Sequence, residues 1–196
     1  MYQKYIKRIV DLLISLIALV LLSWLFLIII LLVRFTSKGP LFFCQKRIGL
    51  HKCEFSMIKF RTMRVHTPSD IPTHLLLNPE QYITPFGKFL RWSSLDELPQ
   101  LINIIKGNMA IVGPRPALWN QYDLIEERDT YHANNLRPGL TGWAQVNGRD
   151  ELTISEKARL DGEYTKNISF LFDIKCIIKT IGYIFRHDGI REGSSM

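Results

Sequence analysis

From Leu12 to Val33 the chain runs 22 residues without a charge, and only Ser15 and Ser23 are polar. At ~1.5 Å per residue a helix of that length reaches roughly 33 Å, about the hydrocarbon thickness of a bilayer. The run is long for a cleavable signal peptide, and no small-residue cleavage site follows it. Lys4, Lys7 and Arg8 precede it, and Arg34, Lys38, Lys46 and Arg47 follow it. A spanning helix usually has Lys and Arg biased to one end. Basic flanks on both sides suit a re-entrant segment, which must break near Ser23-Trp24 and find new partners for the freed backbone groups. The pattern leaves spanning and re-entrant forms open.

Beyond Gly39-Pro40 the period shortens. Leu41–Gln45 and Phe55–Phe60 read as two strands or a hairpin around a turn at Gly49. Thr67–Thr84, with Pro68, Pro72 and Pro79, reads as a loop. Phe86–Trp92 suits a short helix at a membrane interface or in an ordinary core. A helix is predicted over Glu97–Lys106, with Gly107 as its C-cap. Met109–Val112 reads as a buried strand entering Gly113-Pro-Arg-Pro116, and Trp119–Asp129 as a helix. Arg137–Gly142 reads as a loop and Trp143–Val146 as a strand ending at the Asn147-Gly148 turn. Thr153 with Glu156 forms a capping box for a helix to Lys166. The last predicted helix, Phe170–Arg186, has an aliphatic face opposite Lys175, Lys179 and Arg186, which fits either anionic lipid or the domain core. The fold class is therefore α/β: a small sheet or hairpin, amphipathic helices and one N-terminal membrane helix. Residues 1–38 form the inserted part and residues 39–196 the catalytic domain.

Composition changes this picture little. Apolar residues make up 47% and charged residues 22%, which is globular usage. Of the net charge of +7, +4 lies in residues 1–40, so the excess points to a membrane surface rather than nucleic acid. Three cysteines without Cys-x-x-Cys spacing, and no His pair at metal-ligand spacing, argue against a disulfide scaffold and a structural zinc site, and fit a reducing compartment.

Candidate chemistry gathers in four stretches. Asp96-Glu97 sits in SLDELP. A Ser94–Glu97 capping box is the structural alternative, but it would put Pro99 inside the first helical turns. A helix starting at Asp96 places both carboxylates at its positive end, able to stay ionised, hold a divalent cation or attack an electrophile. Lys59 and Arg61 in KFRTM are two apart on a strand and share a face. Arg115 is clamped between prolines, Arg137 precedes Pro138-Gly139, and Arg149 follows Asn147-Gly148. Basic groups held by Pro and Gly turns beside two acids point to a charged, phosphate-bearing substrate with a metal.

These stretches, KFRTM (59–63), SLDELPQL (94–101), GNMAIVGPRP (107–116) and RPGLTGWAQVNGR (137–149), occur in an order that resembles the bacterial sugar transferases. These are small monotopic phosphoglycosyl transferases acting on polyprenyl phosphate, and the resemblance runs from about Lys4 to Ile190. It implies that Asp96 attacks the β-phosphate of a UDP-sugar and expels UMP. Undecaprenyl phosphate would then take the phosphosugar from the aspartyl intermediate. Glu97 would be the dyad partner and Mg²⁺ the cofactor, with Asp96 its ligand. Lys59, Arg61, Thr62, Arg115, Arg137, Gln145 and Arg149 would face substrate phosphate or nucleotide. The implied setting is the cytoplasmic face of a bacterial inner membrane, at the first membrane step of glycoconjugate biosynthesis. Members of the family commonly carry Ser-Pro at the helix break, where this chain has Ser23-Trp24. The competing class is a membrane-anchored scaffold that binds nucleotide sugar or phospholipid without turnover, and Asp96-Glu97 argues against it.

Overall fold

A computed structural model describes residues 2–68 and 78–186. Half of the predicted Thr67–Thr84 loop (69–77) thus lies outside the described residues, as do the side chains of Lys4 and of residues 183–186. The described chain is a mixed α/β domain of seven α-helices and two two-stranded sheets.

The apolar run forms two helices, α1 (Lys7–Leu21) and α2 (Ser23–Thr36), bent by 63° at Leu22. Leu22 leaves helical geometry at φ −94°, ψ 4°. No single described helix is long and apolar enough to cross a membrane; the bent pair meets that test only jointly. The break forms without proline, and Trp24 falls in the first turn of α2, where a backbone N–H has no intrahelical acceptor. Trp24→Pro is therefore expected to leave the melting temperature and activity close to wild type. A drop of more than about 5 °C would show that the Trp24 amide or ring is needed.

Helix α1 is built into the domain by one polar stripe. Lys7, Asp11 and Ser15 are buried. Lys7 Nζ lies 2.7 Å from Asp173 Oδ2 and 3.6 Å from Asp11. Asp173 also accepts from the hydroxyls of Tyr2 and Tyr164, each at 2.6 Å. Each buried charge of this network has a partner, while Ser15 Oγ has none among the described residues.

Strands β1 (Phe42–Ile48) and β2 (Glu54–Phe60) form the expected antiparallel hairpin, with Phe42 opposite Phe60 and Arg47 opposite Phe55. Helix α3 (Pro85–Trp92) is capped by Thr84, whose hydroxyl accepts from Gly87 N. Its Leu90 packs with Ile29 and Val33 of α2 and with Phe60, and Leu95 and Leu98 close over that cluster. Phe89 and Trp92 face outward.

Helix α4 (Gln100–Lys106) starts later than the sequence predicts. Pro99 has no N–H to give Leu95, so the helix begins after it, and Leu95–Glu97 closes instead as a 3-10 turn. Asn103 stitches α4 to β2, accepting from Ile58 N at 3.0 Å and donating to Ser56 O at 2.8 Å.

A second correction concerns β3 (Ala110–Val112) and its partner. That partner is β4 (Gly139–Thr141), parallel to β3 and inside the stretch expected to be a loop. Trp143–Val146 is no strand. Trp143 anchors a core cluster with Phe172, and Asn147 donates to the Trp143 carbonyl at 2.7 Å, curling Gln145–Asn147 into a 3-10 turn. Glycine permits the close approach of the two motifs, because a Cβ at Gly142 would collide with the Gly113 carbonyl.

Helix α5 (Tyr122–Asp129) is shorter than expected, and α6 (Ile154–Asn167) has the expected capping box. In helix α7 (Phe170–Arg186) Lys175 and Lys179, both exposed, reach across the Trp143 ring at 4.7 and 4.5 Å from its centroid. Leu171, Ile178 and Ile181 point outward, with Leu171 78% exposed.

Candidate active site

A cleft of about 310 Å³ runs between the β1–β2 hairpin, the Asp96-Glu97 turn and the Pro114-Arg115-Pro116 strap. Lys59, Arg61, Thr62, Asp96, Glu97, Arg115, Gln145 and Arg149 all line it. Four motifs distant in sequence thus converge on one site. Arg137 does not join them. It lines a separate cavity beside α1, where its Nε donates to Gly107 O at 2.9 Å and caps the end of α4 together with Arg8. Arginine suits the exposed carbonyls of a helix C-terminus.

The dyad turn is fixed from below by Leu95 and Leu98 and from the side by a charge cluster. Lys59 Nζ holds Glu97 Oε1 at 2.7 Å, and Arg115 Nη2 lies 3.6 Å from the same oxygen. Ser94 caps nothing and sits in the left-handed region at φ 56°, which excludes the capping-box alternative. The two adjacent carboxyls differ in character. Burial raises Glu97, but Lys59, Arg115 and Arg149 together hold it well below the usual carboxylate range. Burial raises Asp96, opposed by Lys59 and reinforced by the ionised Glu97. The helix-dipole explanation is thus corrected, since neither acid belongs to α4 and the charges come from Lys59 and the arginines. Among the described residues the Asp96 carboxylate has no hydrogen bond or ion pair, although it is only 8% exposed.

The strap is held from both sides. Arg128 Nη1 donates to Arg115 O at 2.9 Å while its other nitrogens grip Asp161 at 2.6 and 2.8 Å. Arg47 Nη1 donates to Pro116 O at 2.9 Å, and Ile48 N to Ala117 O at 3.0 Å. Arg149 follows Gly148 (φ 141°) with its own φ at 51°, a turn that directs it to the cleft, and its Nε has no partner among the described residues. Gln145 donates to Leu140 O at 3.1 Å, and its Oε1 is likewise unpartnered among them.

Sequence reasoning missed Arg47, Arg128, Asp150 and Lys157, which also line the cleft. Arg47 reads as membrane flank, and Arg128 stands in an acidic helical run with no turn residue beside it. Their roles come from tertiary packing.

A buried carboxylate beside a row of fixed cations suits a phosphate-bearing substrate. The family model for bacterial sugar transferases matches residues 2–187, and the chain belongs to that family. It is 38% identical over 187 residues to the uncharacterized sugar transferase EpsL of Bacillus subtilis, covering 95% of this chain and 91% of that protein. The exopolysaccharide production protein ExoY of Sinorhizobium fredii is 38% identical over 189 residues, covering 89% and 83%. The Escherichia coli UDP-glucose:undecaprenyl-phosphate glucose-1-phosphate transferase is 40% identical over 188 residues, covering 91% of this chain but 40% of that longer enzyme.

Proposed function

We propose that the protein transfers a sugar 1-phosphate from a UDP-sugar to undecaprenyl phosphate through a covalent bond to Asp96. The observation that carries this reading is the Asp96 carboxylate itself, buried and unpaired beside a partner acid locked onto Lys59 and Arg115. A desolvated carboxylate is a competent nucleophile and needs no proton removed. Its oxygen attacks the β-phosphorus, the bond to the bridging oxygen breaks, and UMP leaves with the electron pair. An acceptor phosphate oxygen then attacks the same phosphorus and returns the Asp96 carboxylate.

Lys59, Arg115 and Arg149 neutralise the diphosphate as charge moves onto the departing oxygen. Glu97, held ionised, orients Lys59 and Arg115 rather than carrying a proton. Mg²⁺ fits this donor set. It is commonly held by one or two carboxylates and completed by substrate phosphates and water, and Asp96 offers such a carboxylate. Among the described residues no cluster of three or more His, Cys, Asp or Glu side chains forms a complete cage. When bound, Mg²⁺ would supply Lewis-acid stabilisation of the phosphoryl oxygens.

The names of relatives that act on UDP-glucose and undecaprenyl phosphate support both substrates. The 63° bend, the basic flanks and the outward apolar rows of α1, α2 and α7 support a re-entrant anchor, with both ends and the catalytic domain on the cytoplasmic face. The experiment is UMP release from a panel of UDP-sugars by membrane-reconstituted protein, with and without undecaprenyl phosphate. No UMP from any donor would contradict the reading.

Arg115→Lys is expected to lower kcat/KM at least tenfold. A lysine reaching from the same rigid strap loses the fork that can bridge two phosphate oxygens. Wild-type kinetics in this variant would reduce Arg115 to a partner of Glu97.

A further inference from the structure

Arg115 stands between two prolines, neither of which has an N–H to give to a neighbour. The strap is therefore held through its carbonyls. Pro114 O accepts from Gly139 N at 2.9 Å and Ala117 O from Ile48 N at 3.0 Å, both backbone bonds. The two carbonyls between them accept from side chains: Arg115 O from Arg128 Nη1 and Pro116 O from Arg47 Nη1, each at 2.9 Å.

The two side-chain holders differ. Arg47 rests on the amide oxygen of Gln45, and both of these residues line the cleft. Arg128 is 5% exposed and is fixed from behind by Asp161 of α6, which takes its Nε at 2.8 Å and its Nη2 at 2.6 Å. Asp161 is 1% exposed and does not line the cleft. A planar guanidinium sets the direction of all its N–H bonds at once, so the grip of Asp161 aims the remaining arm at Arg115 O. One side chain thus joins a buried carboxylate to the backbone of the residue whose Nη2 lies 3.6 Å from Glu97.

Helix α6 is a firm base for this grip. Its first turn carries the Thr153–Glu156 capping box. Tyr164, one turn beyond Asp161, is buried with its hydroxyl 2.6 Å from Asp173 and 3.2 Å from Val112 O. The same helix therefore reaches the strap segment on both sides of Gly113-Pro114, at Val112 directly and at Arg115 through Arg128.

We propose that Arg128 and Asp161 are positioning residues for Arg115, setting where its guanidinium meets the phosphates of the donor. This rests on the transferase reading and adds to it a control from outside the cleft. A buried ion pair gives little stability over well-packed apolar side chains, but apolar side chains could not hold the Arg115 carbonyl. The placement matters because a shift of about 1 Å in a group that meets the reacting centre can cost about 100-fold.

The test is a double-mutant cycle on UDP affinity, measured by calorimetry with the full chain in phosphatidylcholine nanodiscs. Arg128→Lys keeps a charge for Asp161 but has no second arm for Arg115 O. It is expected to weaken UDP about tenfold alone and at most threefold when Arg115→Lys is already present, because the group being positioned has gone. A general loss of structure, or a direct contact of Arg128 with the phosphates, would give the same factor in both backgrounds and overturn the proposal. Unchanged UDP affinity in Arg128→Lys would also overturn it. If Arg128→Lys does not fold, Asp161→Asn takes its place under the same criteria, and failure of both to fold would make the pair structural and overturn the positioning role. Wild-type protein that shows the coupling but releases no UMP from any UDP-sugar would refute the transferase reading alone. UMP release without the coupling would refute the positioning role alone, and wild-type protein that binds no UDP would refute both.

Discussion

Asp96→Asn is expected to drop UMP release to background while the melting temperature stays near wild type. The amide keeps the shape of the carboxylate but lacks the electron pair and charge that attack phosphorus. Asp96 makes no hydrogen bond or ion pair among the described residues, so its replacement removes no structural contact. Relief of a buried charge can even stabilise the variant slightly. This separation of activity from stability distinguishes a nucleophile from a structural acid. Activity within tenfold of wild type would exclude Asp96 as the attacking group.

Glu97→Gln is expected to damage both activity and stability. Glu97 Oε1 lies 2.7 Å from Lys59 Nζ, and both side chains are largely buried, at 14% and 17% exposure. Removing one partner of such a pair leaves the other charge uncompensated, a loss of about 3 kcal/mol. Lys59 and Arg115 would repel each other without their shared anion and leave the geometry needed for a diphosphate. Turnover should fall about 100-fold or more. Added UDP should restore part of the lost melting temperature, because its phosphates supply the missing negative charge. A variant that melts normally and turns over at half the wild-type rate would show that the Lys59–Glu97 pair is incidental.

The sequence carried the chemistry further than the fold. Pro114 and Pro116 mark a rigid strap around Arg115, and Asn147-Gly148 marks the turn before Arg149, because both use local backbone constraints visible in residue type. The β1–β2 hairpin, the Thr153–Glu156 cap and the helix break near Ser23 are local in the same way. Pro99 is legible too, but its effect was assigned to the wrong side: it moves the helix start past Glu97 and leaves the acids on a 3-10 turn. The β3–β4 pair was hidden because three-residue parallel strands have no period of their own, and Gly139 joins one through its pairing with Ala110 and the hydrogen bond its N–H donates to Pro114 O. Trp143 mimics a strand residue and is a core anchor under two lysines. Arg137 shares a motif with Arg149, yet a helix end claims it before the cleft does. The grips of Arg47 and Arg128 on the strap depend on long-range packing that residue types do not encode.

The central claim is a covalent phosphosugar on Asp96, and intact-mass analysis with acceptor withheld tests it most directly. Wild-type protein given a productive UDP-sugar and Mg²⁺ should release close to one UMP per chain in a burst. It should gain the mass of one sugar phosphate on the peptide containing Asp96, and lose it when undecaprenyl phosphate is added. A protein that releases UMP only when both substrates are present, with no adduct on that peptide, would contradict the covalent mechanism.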